Sequence, residues 1–437
     1  MNTFTSASCK SLFLAKYNTN GTLIWFKQPQ QNVSQTVALS QTISKGLTVD
    51  DQGNSYWLVY IPTGTYADGA FTNSLAGSNW YLFKYDANGN FLNGAHLDVQ
   101  LTGSFISYVK LYLNSNNGYF YISSFKSSST ATAVVGGQAV NGSGFIACFN
   151  DLGQFQWKKE DSYTGAFGLR FYGLAFDSSN NIFLAGQLLG QSLNTFLGLT
   201  VPENINPPFI MKLNPTADTT YWSTYPPISS GPYNYGAIAL NGSEVAFTNS
   251  CAGTNYTWGS QVLNASNISN GEGIETLFAR FNSSTGACLG LHKIPGNAGF
   301  DDQGTALTVD VSGDYILGGG FGGQLTINGA TLSNAGSQTD FFLAKFATSV
   351  CSPLSNEEFN LNEIKVYPNP VKDNLYWQGE TSWTSYEVYS VLGKKVAEGK
   401  IFSGQNQINI SHLTKGIYVL QCSDASGNVK AFKIAKE

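Results

Sequence analysis

Phe13-Leu-Ala-Lys-Tyr-Asn18 returns in altered form as YLFKYD from Tyr81, FIACFN from Phe145, FIMKLN from Phe209, LFARFN from Leu277 and FLAKF from Phe342. Its fourth position falls at Lys16, Lys84, Cys148, Lys212, Arg280 and Lys345, with intervals of 68, 64, 64, 68 and 65 residues. Six copies at so regular an interval mark a repeat architecture. Asn18-Thr-Asn-Gly21, Asp86-Ala-Asn-Gly89 and Asn150-Asp-Leu-Gly153 follow three anchors, and each leads into a further apolar run. Asn and Gly tolerate the positive φ of tight turns, so these are hairpins. A second hairpin precedes the anchor, as in GLTVDDQGNSYWLV from Gly46, GLAFDSSNNIFLAG from Gly173 and ALTVDVSGDYILGG from Ala306. Their alternation of apolar with small or polar residues is the period-2 signature of paired strands.

Each unit thus reads as four strands, A and B before the anchor, C the anchor itself and D after it. A four-stranded antiparallel sheet repeated radially is a propeller blade. The expected fold is all-β, a β-propeller of four-stranded blades over residues 1–350, the first and last of the six copies being partial. The first copy has only C and D, and the last has A, B and C. A solenoid is the alternative architecture. Trp25, Trp157 and Trp222 recur nine or ten residues after their anchors and read as packing residues of strand D.

Composition agrees. Of 437 residues only 12% are charged, 14% are aromatic and 47 are Gly, a mix that favours strands and turns. The net charge of −5 disfavours nucleic acid, which needs a basic face to displace counterions. No run approaches the roughly 18–20 apolar residues of a membrane helix. Charge divides unevenly: residues 364–437 carry nine Lys against six acids, a net of +3, which leaves −8 before them. The break falls beside a polar stretch, 351–363, read as a linker.

Thr326–Phe346, NTNGTLIW (Asn18–Trp25) and Phe300–Tyr315 resemble the bacterial β-propeller repeats of secreted and cell-surface proteins. That resemblance implies fold and no common reaction. Residues 364–437 follow another grammar, with short alternating strands that suggest an Ig-like β-sandwich of about seven strands. Tyr367-Pro368-Asn369-Pro370, Val391-Leu392-Gly393-Lys394, the segment from Leu413 through Gly416 to Tyr418, and the basic end from Lys433 to Lys436 occur in order. Together they resemble the C-terminal sorting domain of the type IX (Por) secretion system. The resemblance implies export across the outer membrane, recognition by the secretion machinery and, usually, removal of this domain with attachment of the passenger to the surface. An ordinary sandwich used for glycan contact or spacing is the alternative. Such cargo begins with a secretory signal, and MNTFTSASCK has no apolar core for one, so Met1 is expected to be a truncated or misassigned start.

Chemistry is sparse. His96, His292 and His412 stand alone in sequence, and neither zinc spacing nor a nucleophile elbow is present. The Asp50–Asn54 and Asp86–Asn90 turns lack the full calcium-ligand series, and hairpin chemistry accounts for them. No metal and no cofactor is expected. Six cysteines match no metal motif; Cys9 and Cys351 flank the repeats and form a candidate disulfide, while Cys148 reads as a buried free thiol. Tyr66, Trp80, Tyr233, Tyr235, Trp258, Arg170 and the pair Asp301-Asp302 fall in B–C or D–A connections, which in a propeller crowd one face around the channel. Aromatic platforms with carboxylates suit sugar rings; the alternative is loop tips packing on neighbouring blades. The function expected is an exported binding or adhesion protein for polysaccharide or a surface protein, with the type IX machinery as partner of residues 364–437. A polysaccharide hydrolase or lyase, or a purely structural surface protein, is the rival, and Asp301 beside Asp302 weakens the enzyme because neighbours on a strand point to opposite faces.

Overall fold

The computed structural model describes residues 12–28, 43–189, 194–227, 235–251, 255–264, 274–296, 301–327, 329–334, 336, 339–347, 365–378, 383–390, 394–425 and 429–437. The chain divides into two units, Met1–Thr348 and Ser349–Glu437. Cys9, Cys351, Tyr233, Gly393 and the 351–363 linker lie outside the described residues.

In the first unit the repeat becomes a succession of antiparallel sheets in A-B-C-D order. Four are complete: Ile43–Val49, Ser55–Ile61, Asn79–Tyr85 and Phe91–Leu97 form the first of them, and the others begin with Lys110–Asn114, Leu169–Phe176 and Ala237–Asn241. Leu14–Tyr17 with Leu23–Lys27 supplies a C-D pair before them, and Gln303–Val309, Tyr315–Phe321 and Asp340–Phe346 an A-B-C sheet after them. The residues that lengthen the repeat form a short hairpin between B and C in each sheet, such as Gly64–Tyr66 with Phe71–Asn73. The A strands of successive sheets lie side by side. Gly46 lets the first approach the second so closely that a Cβ there would stand 2.5 Å from Leu111 Cβ.

The register explains the recurring residues. The anchor sits opposite strand B on one side, as in Tyr56↔Lys84 and Phe183↔Lys212. On the other side it faces the strand-D tryptophan, in Lys16↔Trp25, Cys148↔Trp157 and Lys212↔Trp222. Two anchor cations reach acids of the A–B turn: Lys212 pairs with Asp177 at 3.1 Å, and Lys345 meets both Asp310 and Asp314 at 2.8 Å. Cys148 replaces the cation without needing an acid; it is buried and free, and burial pushes its thiol up to about 12.

The tryptophans also fasten one sheet to the next. Trp25 Nε1 donates to Ala87 O at 3.1 Å, and Trp222 Nε1 donates to Ser283 O at 3.2 Å, each in the C–D turn of the following sheet. The indoles lie against Gly89 and Gly286, where an added Cβ would come within 2.8 and 2.6 Å of the ring. Apolar clusters fill the spaces between sheets; one joins Leu58, Trp80 and Leu82 to Phe120, Ile122 and Phe149 of the next. Trp80, expected in a connection, belongs instead to strand C and is 1% exposed.

The second unit has a three-stranded sheet, Lys365–Tyr367, Asn374–Gln378 and Gln407–Asn409, and a four-stranded one, ordered Lys395–Lys400, Trp383–Ser390, Gly416–Asp424 and Val429–Lys436. Both contribute to one core that includes Leu375, Trp377, Val388, Ile408, Leu420 and Ile434.

Gly286→Ala is expected to lower stability by about 1–3 kcal/mol, because it combines φ +72° with overlap on Trp222. Gly21→Ala, at φ +75° with no neighbour within 4 Å, loses only the backbone part. Denaturant unfolding of the two variants separates the terms; equal losses would remove the indole contact as the cause.

Candidate functional site

Three of the sequence-selected positions come to one end of three successive inner strands. Arg170 is the second residue of Leu169–Phe176, Tyr235 stands just before Ala237–Asn241, and Asp302 just before Gln303–Val309. Each sits where the chain enters its sheet from a D–A connection, because the repeat places those connections on one side.

Arg170 is 5% exposed, so it is no solvent-facing arm. Its Nη1 donates to Gln187 Oε1 at 3.3 Å, and Tyr172 donates its hydroxyl to the same oxygen at 3.1 Å. The guanidinium lies over the rings of Phe125 and Phe167, at 5.8 and 5.4 Å. No acid pairs with it among the described residues, and Nε has no hydrogen-bond partner there. Burial lowers its pKa, although a guanidinium stays charged at any physiological pH. Lys110 extends this cationic region: its ammonium donates to Phe171 O and Tyr172 O at 3.1 and 3.2 Å, and burial lowers it to about 8.

Tyr235 is 54% exposed, and its carbonyl accepts from Asn249 Nδ2 at 2.7 Å. Gly236 fits tightly between Tyr172 and Asn249, which ties this strand entry to the Arg170 network. Thr248, next to Asn249, lies against Gly304 and carries the seam onward to Asp302.

Asp302 is 1% exposed. Its Oδ1 accepts from Gly322 N at 2.9 Å, while Oδ2 has no hydrogen-bond partner among the described residues. Burial, with smaller contributions from Glu275 and Asp301, raises its pKa to about 6 against the opposing Gly322 hydrogen bond. Glu275 is neutralised by Lys293 at 3.1 Å. Asp301 is exposed and bridges to Ile274 through its backbone. The pair therefore splits into a buried and an exposed carboxyl, as expected for neighbours. Gln303 Oε1 and Thr276 Oγ1 are also buried without partners, so unspent polar capacity gathers at this end.

Two aromatic expectations need correction. Trp258 is fully buried, packed edge-on against Phe281 with centroids 4.8 Å apart, and its Nε1 donates to Thr224 Oγ1. Tyr66 is 4% exposed and donates its hydroxyl to Pro62 O at 2.7 Å. Both serve the B–C hairpin, where an aromatic ring is the cheapest way to cover the side of a sheet. Sequence reasoning passed over Gln187 and Asn249, although each interrupts an apolar strand-B run, IFLAGQL and EVAFTNSC, and that interruption is visible without a structure. No group of three or more His, Cys, Asp or Glu able to hold a metal occurs among the described residues.

In the second unit the motif residues form a clasp. Asn369 Nδ2 donates to Lys433 O, and Ala435 N donates to Asn369 Oδ1, both at 2.8 Å. Val371 N bonds Ala435 O at 2.7 Å, and Glu437 N bonds Val371 O at 3.0 Å. Pro368 and Pro370 follow cis peptide bonds on either side of Asn369. Tyr367 is 46% exposed, and Lys394 is exposed, its carbonyl accepting from Ser390 N at 2.9 Å. Leu413 is a core residue; Gly416 opens the strand that carries Tyr418, which donates its hydroxyl to Thr414 O at 2.8 Å. Lys436 is 9% exposed and donates to Glu437 O. The first and last of the sequence blocks thus meet in one structural element.

Residues 365–437 match the family described as the secretion system C-terminal sorting domain. The sorting domain makes this a secreted or cell-surface protein, and type IX machinery is involved in its export. No helix among the described residues is long and apolar enough to cross a membrane. No curated protein matches the sequence. Solved structures with similarity include a protein of unknown function from Dyadobacter fermentans (9% identity, TM-score 0.35, covering 90% of this chain and 94% of that one). A protein of unknown function from Bacteroides caccae has 8% identity, TM-score 0.32, and coverage of 63% and 73%. The pyranose dehydrogenase PQQ domain from Coprinopsis cinerea has 11% identity, TM-score 0.31, and coverage of 69% and 92%. Likeness at this level carries no argument about chemistry.

Two measurements follow. Asp302→Asn keeps an acceptor for Gly322 and removes the buried acid. A carboxyl whose folded pKa is raised binds its proton more tightly when folded, so its cost grows as pH rises from about 4 to about 6 and is full above that. The variant's melting temperature should exceed wild type at pH 7.5, with the gap closing by pH 4. For the sorting domain, Asn369→Ala removes two hydrogen bonds and should cost about 1–2 kcal/mol. Hydrogen exchange at residues 433–436 should quicken if the clasp holds that strand.

Proposed function

We propose that the first unit is a propeller-like binding module, displayed outside the cell, whose strand-entry end takes a polysaccharide. The observation that carries this reading is the alignment of Arg170, Tyr235 and Asp302 at successive strand entries, two of them with unspent hydrogen-bonding atoms. A sugar chain offers many hydroxyls to such a seam, and the exposed Tyr235 supplies a ring face for stacking. Protein partners and purely structural roles are less favoured, because neither calls for buried polar atoms left without partners.

The full chain on a glycan array should show saturable binding to at least one polysaccharide. Tyr235→Ala, at an exposed position, should weaken it tenfold or more, and Arg170→Lys, which keeps charge and loses the fork, should weaken it as well. No saturable binding, or binding indifferent to both changes, would overturn the reading.

A further inference from the structure

A separate cavity of about 290 Å³ opens between the Leu23–Lys27 strand and the sheet that follows it. It is at the small end of ligand pockets, which begin at roughly 300 Å³, and so suits a single ring rather than a chain. Lys27, Asp68, Ala70, Tyr85, Asn90 and Phe91 line it.

Tyr85 is the decisive residue. It is 2% exposed, it lines the cavity, and its hydroxyl has no hydrogen-bond partner among the described residues. A buried hydroxyl without a partner is destabilising, and a ligand acceptor relieves that. The opposite wall is the tip of the Gly64–Tyr66 and Phe71–Asn73 hairpin. Ala67 and Asp68 both adopt left-handed backbone, at φ +52° and +54°, where a side chain other than Gly is disfavoured. Successive left-handed residues also turn the equivalent hairpins, at Gly136-Gly137 and Leu197-Gly198, and here the turn holds Asp68 at the rim. The wall is fixed from below by Phe71, which packs edge-on against Phe83 with centroids 5.0 Å apart.

We infer that this cavity binds one pyranose unit of a neutral glycan. Lys27 and the Tyr85 hydroxyl donate, while Asp68 and the side-chain carbonyl of Asn90, whose amide is spent on Asp86, accept. A pyranose presents hydroxyls that each donate and accept around one ring, and this alternation matches them. Lys27 and Asp68 cancel in charge, which disfavours an anion or a cation. Phe91 and the Tyr85 ring, 5.4 Å apart at 73°, give the apolar edge that the C–H face of a sugar needs. Burial raises the Tyr85 pKa, so the hydroxyl keeps its proton under all physiological conditions. The site lies away from the strand-entry seam and does not depend on the polysaccharide reading made there.

The test uses the full chain with methyl α- and β-glycosides of glucose, galactose and mannose as probes, followed by saturation-transfer NMR and calorimetry. At least one should bind, and Tyr85→Phe, which deletes only the orphaned hydroxyl, should weaken it at least tenfold while leaving the melting temperature unchanged or higher. Ala70→Tyr, at an exposed position on the rim, should block binding by filling the cavity. Tyr235→Ala should leave binding unchanged; this separates the cavity from the seam. Failure of every glycoside to bind, indifference to Tyr85→Phe and Ala70→Tyr, or tighter binding of methyl glucuronide or of free alanine would overturn the inference.

Discussion

The contact on which the rest of the first unit depends is an indole ring laid across the turn of the next sheet. A four-stranded sheet has two faces and cannot bury both by itself; it needs a neighbour at a fixed distance and rotation. Trp25 and Trp222 set both, because the ring meets a glycine that has no Cβ to hold it off, and the ring N–H bonds a carbonyl in the same turn. Replacing either partner would leave the apolar clusters between sheets without a stop. The close approach of the inner strands at Gly46 and Gly173 is the complementary constraint nearer the middle of the unit.

This explains why so much of the fold was readable. The anchor hexapeptide, its turn and the tryptophan nine or ten residues later recur because one geometric unit recurs, and the strand order A-B-C-D follows in the four complete sheets. The anchor cation was visible as a repeated Lys or Arg, but its acid partners were not, since Asp177 and Asp310 lie 35 residues before Lys212 and Lys345 and looked like turn residues only. Tyr66 and Trp258 misled for a related reason. The insertion between strands B and C was taken for a loop, whereas it folds into a hairpin that brings its own aromatic residues down against the sheet. Burial of a ring in such an insertion depends on tertiary contacts that spacing alone does not reveal.

The strand-entry seam was half legible. Arg170, Tyr235 and Asp302 were legible as charged or aromatic residues in the connections between strands, and they stand at equivalent ends of their strands. Their relation to Gln187, Tyr172 and Asn249 was not, because it arises from sheets lying side by side and not from sequence neighbourhood. In the sorting domain the four motif blocks were recognisable separately. Only the fold shows that Asn369 is hydrogen-bonded to the strand that carries Lys433, so that the first and last blocks make one structural element.

The buried thiols have a consequence for the timing of this protein's maturation. Burial pushes Cys148 and Cys422 up to about 12 and Cys288 up to about 11, so among the described cysteines the reactive thiolate is scarce and oxidants find little to attack. The unfolded chain has no such shelter. An exported protein travels through an oxidising compartment, where exposed cysteines can pair wrongly before the sheets close. Native structure here acts as an antioxidant, and its protection begins only when folding outruns disulfide exchange.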